Sequence, residues 1–116
     1  MNNKQYSQKH EKKVAEMIQE IDESFHKVNN SGAPDFKYGD GIGEVLLVEC
    51  KTLSKPQKQQ TIKKETLEKV AKEAFVAGVD IGATVINFGD MDGTEYFILE
   101  DIDFLNLLYY YMKGES

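Results

Sequence analysis

One segment, 45–52, restricts the fold of this 116-residue chain more than any other. Side chains of a strand alternate between the two faces of a sheet, so Glu49 and Lys51 project from the same face. The neighbouring residues are apolar enough for the strand to lie inside a sheet. A charged pair on an internal strand is costly to bury unless a partner, a metal or a substrate neutralises each charge. The segment therefore predicts a sheet with a chemically active strand; a Glu–Lys pair at a fraying strand end is the alternative interpretation.

Helical and strand-like segments alternate along the rest of the chain. We predict a helix at 7–27, strands at 33–38 and 44–52, a helix from an N-cap at Thr61 to near Gly78, strands at 83–88 and 94–99, and a last helix capped by Asp101. Glycine-rich turns at 39–43 and 89–93 join the paired strands. The order α-β-β-α-β-β-α predicts one α/β (α+β) domain over residues 1–116, with a central mixed sheet flanked by helices.

Each predicted helix has an apolar stripe at helical spacing. The stripes are Val14, Ile18, Ile21 and Phe25 in the first helix, Leu67, Val70, Ala71, Ala74 and Phe75 in the second, and Phe104, Leu105, Leu108 and Met112 in the third. We expect these stripes to face the sheet. The tyrosines at 109–111, which end the third stripe, favour packing or a dimer interface.

Charge is distributed unevenly in this chain, whose net charge is −6. Residues 51–72 carry seven lysines and two acids, whereas residues 90–116 carry seven acids and one lysine. Exposed charges more than about 10 Å apart are largely screened at 0.1 M salt, so a basic strip can bind phosphate on an acidic protein. All 14 basic residues are lysine, which favours sequence-tolerant backbone contacts over guanine readout by arginine. A solvated helix face is the alternative interpretation of the strip.

The chain carries no apolar run of the roughly 20 residues that a membrane-spanning helix needs. Its N-terminus is polar and carries lysine, so we expect no secretory signal. Its one cysteine cannot form an internal disulfide. We therefore expect a cytoplasmic protein of a bacterial, archaeal or phage-infected host cell. We expect no membrane partner and no small-molecule cofactor.

Two further carboxylates point toward the strand that carries Glu49. Asp35 lies on the preceding predicted strand, and a hairpin centred near Gly41 or Ile42 would bring it within a residue or two of Glu49. Converging carboxylates repel each other unless a divalent cation joins them, and oxygen ligands select Mg²⁺ or Mn²⁺ over zinc. Glu11 continues the apolar stripe of the first helix. A turn role for Asp35 and a helix-dipole role for Glu11 remain the alternatives.

Pro34-Asp35 followed by Glu49-Cys50-Lys51 resembles the motif of the PD-(D/E)XK nuclease superfamily. Within it the chain is most similar to Holliday-junction resolvases of archaea and phages, which carry a helix glutamate (here Glu11) and a Ser-Gly-x-x-Asp-like segment (here 31–35). The resemblance covers essentially the whole chain and implies a restriction-endonuclease-like core. It also implies hydrolysis of DNA by a homodimer. The arginines that archaeal resolvases often carry near the serine are absent here, which weakens the case for junction specificity more than the case for nuclease chemistry.

The resemblance also implies roles for individual residues. Asp35 and Glu49 would hold Mg²⁺, for which Mn²⁺ could substitute, with Glu11 as a further or water-mediated ligand. Lys51 would orient the attacking water and offset charge on the phosphorane, and Ser31 would contact the scissile phosphate. The lysines expected to grip flanking phosphates of the DNA are Lys55, Lys58, Lys63 and Lys64.

The function that the sequence favours is a metal-dependent endonuclease for structured DNA, most specifically a junction resolvase. Three alternatives stay open. The first is a less selective PD-(D/E)XK nuclease acting on ends, flaps or foreign DNA. The second is a non-catalytic DNA-binding protein on the same fold. The third is a small dimeric domain with no nucleic-acid role.

Overall fold

The apolar strand expected near 44–52 lies inside a mixed sheet. The computed structural model describes residues 2–28, 39–53 and 56–114. Within them the elements are α1 (Asn3–Gln19), β1 (His26–Lys27), β2 (Gly41–Ile42), β3 (Leu46–Thr52), α2 (Lys64–Ala77), β4 (Ile81–Asn87), β5 (Tyr96–Ile98) and α3 (Asp101–Lys113). The described chain is an α+β fold with one five-stranded sheet. The predicted fold class and the central mixed sheet are confirmed at this level.

The strands follow the order β1-β2-β3-β4-β5 across the sheet. β3 is antiparallel to β2 and parallel to β4, and β4 is antiparallel to β5. A parallel pair needs a crossover connection, which here contains α2. β4 is the most deeply buried strand, because every residue after Ile81 in it is buried. The parallel register sets Glu49 opposite Thr84 and Lys51 opposite Ile86.

Alternation along β3 divides the core into two layers. Val48 packs with Val14 of α1 and with Phe25, whereas Leu47 packs with Val70 of α2. One face of the sheet is therefore covered by α1 and the other by α2. Since alternate residues share a face, the odd-numbered positions of β3 point to the α2 side.

Two glycines shape α2: Gly82 lets the helix lie close to the sheet, and Gly78 ends it. A Cβ atom at Gly82 of β4 would come within 2.6 Å of the carbonyl oxygen of Val70, so a larger residue there would push α2 away. Gly78 ends α2 with a φ of 79°, a left-handed conformation that costs glycine little. The predicted end of this helix near Gly78 is confirmed.

The first helix begins and ends earlier in the chain than the predicted range 7–27. Asn2 caps α1, and its side chain accepts a hydrogen bond from the amide of Gln5 at 2.9 Å. The helix ends at Gln19, and the chain then turns back so that Phe25 is only 1% exposed. Burying such a side chain contributes about 2 kcal/mol, which favours the turn over further helix. Ile21, expected on the buried stripe, is 91% exposed.

The glycine-rich run 39–43 is not a simple turn, because it contains β2. Gly41 lies opposite Val48, and the hairpin closes where the amide of Gly43 donates to the carbonyl of Leu46 at 2.9 Å. The predicted strand 33–38 lies outside the described residues. The observed element order differs from the predicted α-β-β-α-β-β-α, because the two-residue strands β1 and β2 precede β3 in the described chain.

Two helix starts also differ from prediction. α2 begins at Lys64 with Lys63 as N-cap, not at Thr61, and the Lys63 side chain makes no capping bond. Glu100, not Asp101, is the N-cap of α3. Phe75, expected in the buried stripe of α2, is 84% exposed. No helix in the described part of the chain is long and apolar enough to cross a membrane.

Candidate functional site

Strand β3 positions Glu49 and Lys51 on the sheet face covered by α2. Both side chains are partly buried, and the Oε2 atom of Glu49 has no contact with solvent. Lys51 opens into a cavity of about 280 Å³ at the beginning of α2. The residues that line this cavity are Lys51, Gln60, Thr61, Ile62, Lys63 and Thr66. The E-x-K segment thus presents an acid and an amine side by side on an internal strand, as its alternation predicts.

Asp40 is a carboxylate of this region that sequence reasoning did not select. It is 8% exposed and immediately precedes β2. Since Gly41 lies opposite Val48, Asp40 lies beside Glu49 of the neighbouring strand β3. Its amide donates to the carbonyl of Val48 at 2.7 Å. Its Oδ2 accepts a hydrogen bond from the amide of Cys50, also at 2.7 Å. Asp40 is therefore held against the backbone between Glu49 and Lys51.

The pKa of the Cys50 thiol indicates which charges surround the second half of β3. Burial raises the pKa of Cys50, and nearby carboxylates raise it further. In decreasing order of effect these carboxylates are Asp40, Glu11, Glu95 and Glu49. Negative charge from α1, from the start of β2, from β3 and from the segment before β5 is therefore concentrated around the second half of β3.

Glu11 lies where its helical spacing predicts. It is one turn before the fully buried Val14, and its side chain is only 21% exposed. Its Oε1 atom is 4.0 Å from the Nζ atom of Lys27 in β1. Glu11 therefore faces the body of the protein and adds to the negative potential around Cys50.

A buried polar network joins α1 to the ends of β3, β4 and β5. His10 is fully buried, with Nε2 2.5 Å from Glu95 Oε1 and Nδ1 2.6 Å from Thr52 Oγ1. The other oxygen of Glu95 accepts from Lys13 Nζ at 2.8 Å and from Asn87 Nδ2 at 2.7 Å. Buried networks of this kind are stabilising when every member is satisfied. This network fixes the end of β3 next to Lys51.

The charge state of Glu95 assigns the proton on His10. Burial raises the pKa of Glu95, but hydrogen bonds from Lys13, Asn87 and His10 outweigh burial and leave it below the ordinary value. An ionised Glu95 only accepts hydrogen bonds, so the Nε2 atom of His10 carries a proton. In the neutral imidazole, Nδ1 then accepts from the Thr52 hydroxyl.

Exposed lysines surround the beginning of α2. Lys63 and Lys64 stand at its first turn, and Lys58 lies in the connection before it. The Lys63 side chain makes no capping bond, and the first turn of α2, with the positive end of its helix dipole, borders the Lys51 cavity through Lys63 and Thr66. Lys58 also lines a groove of about 860 Å³ that includes the edge-to-face ring pair of Phe88 and Tyr96. This end of the protein is suited to phosphate contacts.

Glu11, Asp40 and Glu49 offer only oxygen, the donor that a hard cation prefers. Glu11, however, belongs to α1, which covers the opposite face of the sheet from the face on which Glu49 projects. Within residues 2–28, 39–53 and 56–114, however, no three acidic, histidine or cysteine side chains converge closely enough to hold a metal. Ser31, Asp35 and Lys55, which the sequence places in the site, lie outside the described residues. A metal-binding set with Asp35 thus stays a prediction.

Of the buried residues that were not predicted, His10 alone could have been identified from the sequence. His10 stands four residues before Val14 and eight before Ile18, so its spacing alone sets it on the buried face of α1. Asp40 gave no such signal, because three glycines around it indicate a turn. Its role depends on the register between β2 and β3. Glu95 is 85 residues from His10, and only tertiary folding joins them.

No protein family matches the chain, and neither a curated protein nor a solved structure is significantly similar to it.

Proposed function

We propose that this protein is a metal-dependent endonuclease that hydrolyses phosphodiester bonds of structured DNA, with a restriction-endonuclease-like core and a homodimeric assembly. The most specific form of the proposal is a Holliday-junction resolvase. The observation that carries it is the pair Glu49 and Lys51, which share one face of the internal strand β3 while Asp40 and Glu11 concentrate negative charge beside it.

The topology around β3 supports the proposal. β3 pairs antiparallel with β2 and parallel with β4, and α1 and α2 cover opposite faces of the sheet. A helix, a hairpin bearing the motif, a second helix and a further strand are the core that the sequence resemblance implies. The similarity rests on element order and on the placement of one motif, so it supports the fold of a nuclease more directly than its substrate.

The carboxylates divide into one central and several supporting groups. Glu49 would be the central metal ligand, with Asp35 or Asp40 as the second carboxylate and Glu11 as an outer or water-mediated ligand. Mg²⁺ suits this oxygen-only set, and Mn²⁺ could replace it. Such an ion would supply polarisation of a phosphoryl oxygen and acidification of the attacking water.

Lys51 has a separate task in the proposed reaction. Lys51 lines the cavity at the beginning of α2. Its ammonium group would orient the attacking water there and offset the growing charge on phosphorus. Ser31 would contact the scissile phosphate. Lys58, Lys63 and Lys64, with Lys55 nearby in the sequence, would hold flanking phosphates together with the first-turn amides of α2.

A less selective nuclease is the second candidate. The complete absence of arginine favours contacts to the DNA backbone over base readout, which is compatible with cutting ends, flaps or foreign DNA. A non-catalytic DNA-binding protein on the same fold is the third candidate. These alternatives differ in substrate range and in turnover, so one assay separates them.

The test is cleavage of a labelled four-way junction and of a matched linear duplex on denaturing gels, with Mg²⁺ or with EDTA. The variants are Lys51→Ala and, as a matched control, Lys4→Ala, an exposed lysine in the first turn of α1. We expect paired symmetric nicks in the junction that need Mg²⁺, survive in K4A and fall by about 100-fold or more in K51A. Cutting of both substrates would favour the less selective nuclease. Metal-supplemented protein that binds junctions but cuts neither substrate would refute the enzyme.

A further inference from the structure

The groove of about 860 Å³ that includes Phe88 and Tyr96 lies beside the Lys51 cavity. Its apolar lining residues are Ile62, Ile86, Phe88, Tyr96 and Ile98. Ile62 also lines the Lys51 cavity, so the two openings adjoin at the carboxyl ends of the parallel strands β3 and β4. Ligands of parallel sheets bind outside these ends, in pockets of roughly 300–1,000 Å³ with mainly apolar walls. The groove therefore has the position, size and lining of a binding site.

Strand register sets the groove on the same sheet face as Lys51. Lys51 of β3 lies opposite Ile86 of β4, and Ile86 lies opposite Tyr96 of β5. Paired residues project from the same face and neighbouring strands are about 4.8 Å apart, so the backbones at Lys51 and Tyr96 are about 10 Å apart. Successive phosphates of a stacked DNA strand are about 3.4 Å apart along its axis, so a few nucleotides span this distance. A strand held at Lys51 therefore reaches the groove.

An exposed aromatic ring forms part of the groove wall. Tyr96 is 54% exposed although it belongs to the sheet. Its ring meets Phe88 edge to face, with centroids 5.8 Å apart and an interplanar angle of 86°. This packing holds the two rings in one orientation. A flat ring system suits such a wall, because it can stack on the exposed aromatic ring.

Lys58 supplies positive charge at the border of the groove. The amide of Gln57 donates to the carbonyl of Phe88 at 3.0 Å, which anchors the loop that carries Lys58. Among the described residues that line the groove, Asp90 is the other charged one, and its sign is opposite. These two charges balance, so the groove suits an uncharged flat group that is joined to an anion near Lys58. A nucleotide combines these two parts in its base and its phosphate.

We propose that this groove binds an unpaired nucleobase of the DNA, stacked on Tyr96, while Lys58 contacts the adjoining phosphate. The inference rests on the proposed function and names its substrate class, which is DNA with an unpaired nucleotide beside the phosphates held at the start of α2. Bases inside a duplex are already stacked and paired, so only an unpaired or extruded base can enter. Stacking tolerates any base, in agreement with a chain whose 14 basic residues are all lysine. Flaps and single-stranded ends supply such a base, and so does a crossover whose pairs open.

Binding of two labelled single strands, measured by fluorescence anisotropy in EDTA, tests the groove without cleavage. One strand is an oligothymidylate about 12 nucleotides long, within the site sizes of single-strand-binding surfaces, and the other has abasic residues throughout the same length. Both carry the same phosphates, so only the bases differ. We expect the wild type to bind the oligothymidylate at least about 5-fold more tightly, as stacking of one base provides. Tyr96→Leu should abolish this preference, whereas Tyr96→Phe, which keeps the ring, should retain it.

Tyr111→Ala is the matched control, because Tyr111 is 87% exposed and belongs to α3, which borders the sheet at the opposite ends of β3 and β4. It should keep the wild-type preference. Lys58→Ala should weaken the binding of both strands alike, since it removes a phosphate contact alone. Far-UV circular dichroism and thermal melting verify that each variant is folded. The wild-type comparison of the two strands needs no variant, so it tests the inference even if Y96L does not fold.

The outcomes separate this inference from the proposed function. Equal wild-type affinity for the two strands, or an unchanged preference in Y96L, would overturn the groove and leave the nuclease proposal intact. A wild type that binds neither strand at low salt would also overturn the groove, and the proposed function fails with it only if four-way junctions are not bound either. A base preference that depends on Tyr96, in a protein that cleaves no DNA, would support the groove and refute the enzyme.

Discussion

The Oδ2 atom of Asp40 accepts a hydrogen bond from the backbone amide of Cys50 at 2.7 Å, and this bond ties the start of β2 to the centre of the E-x-K segment. Cys50 stands between Glu49 and Lys51, so the bond sets a carboxylate against the strand that carries both. Asp40 is 8% exposed. A hairpin of different register would have left this position to another residue.

We expect Asp40→Asn to separate the structural role of this residue from its charge. The amide oxygen of Asn can still accept from Cys50, so the free energy of unfolding should change by less than about 1 kcal/mol. If the negative charge helps hold the cation, junction cleavage falls by about 100-fold or more. Asp35→Asn, measured beside it, tests the carboxylate that the sequence favours. Wild-type cleavage in D40N would limit Asp40 to anchoring the hairpin.

Glu95→Gln should destabilise the protein by about 3 kcal/mol at neutral pH, because it removes the anion that joins Lys13 and His10. The effect depends on pH with a definite sign. Burial raises the pKa of Glu95, but its hydrogen bonds hold it below the ordinary value, so its stabilisation is present above about pH 4.3 and is lost as pH falls through the lowered pKa. The difference in the free energy of unfolding between the wild type and E95Q should therefore become smaller at acidic pH.

Denaturant unfolding at several pH values would measure this gap. Glu16→Gln is the control, since Glu16 is 63% exposed and 4.0 Å from Lys12 on the same helix face. Its effect should stay below about 0.5 kcal/mol. A pH-independent difference between wild type and E95Q would contradict the ionised network.

Thr84→Val should stabilise the protein by about 1 kcal/mol. Thr84 is fully buried, and within the described residues its hydroxyl oxygen has no hydrogen-bond partner. Replacing it with a methyl group of similar shape removes a desolvated polar atom. Thr52→Val is the opposite case, because it breaks the 2.6 Å bond to His10 and should destabilise by about 1 kcal/mol. Thermal unfolding measures the stability of both variants. A T84V variant less stable than the wild type would show that the Thr84 hydroxyl makes a stabilising hydrogen bond.

The lysines at the start of α2 should contribute to DNA affinity through phosphate contacts alone. Each phosphate contact adds about 0.9 to the slope of log affinity against log salt, so Lys63→Ala combined with Lys64→Ala should lower that slope by about 2. Binding titrations of a junction over a salt series, without divalent metal, measure it. Lys4→Ala should leave the slope unchanged. An unaltered slope in the double variant would remove this end of α2 from the DNA surface.

Local sequence patterns alone predicted β3, β4 and the end of α2. The alternation in 44–52 and the apolar run in 83–88 correspond to β3 and β4, and Gly78 ends α2 as expected. The shared face of Glu49 and Lys51 needs only the two-residue period of a strand. These features depend on neighbouring residues, so the sequence contains all the information that they require.

Other features depend on contacts between distant parts of the chain. Helical spacing alone would extend the first helix through Phe25, whereas burial of that side chain and pairing of β1 with β2 ended it at Gln19. The hairpin register that selects Asp40 is decided by which residues of β2 and β3 can pack together. No local pattern distinguishes one register from another here.

The sequence by itself determined strands β3 and β4, the approximate extent of α2 and the pair Glu49 and Lys51 on β3, because backbone periodicity is a local property. The tertiary structure alone decided that Asp40 joins that pair, that Glu95 meets His10, and that the apolar stripe of α3, expected to face the sheet, is at least 40% exposed at each position. Each of these depends on long-range packing, in which burial of one surface determines what another surface contacts.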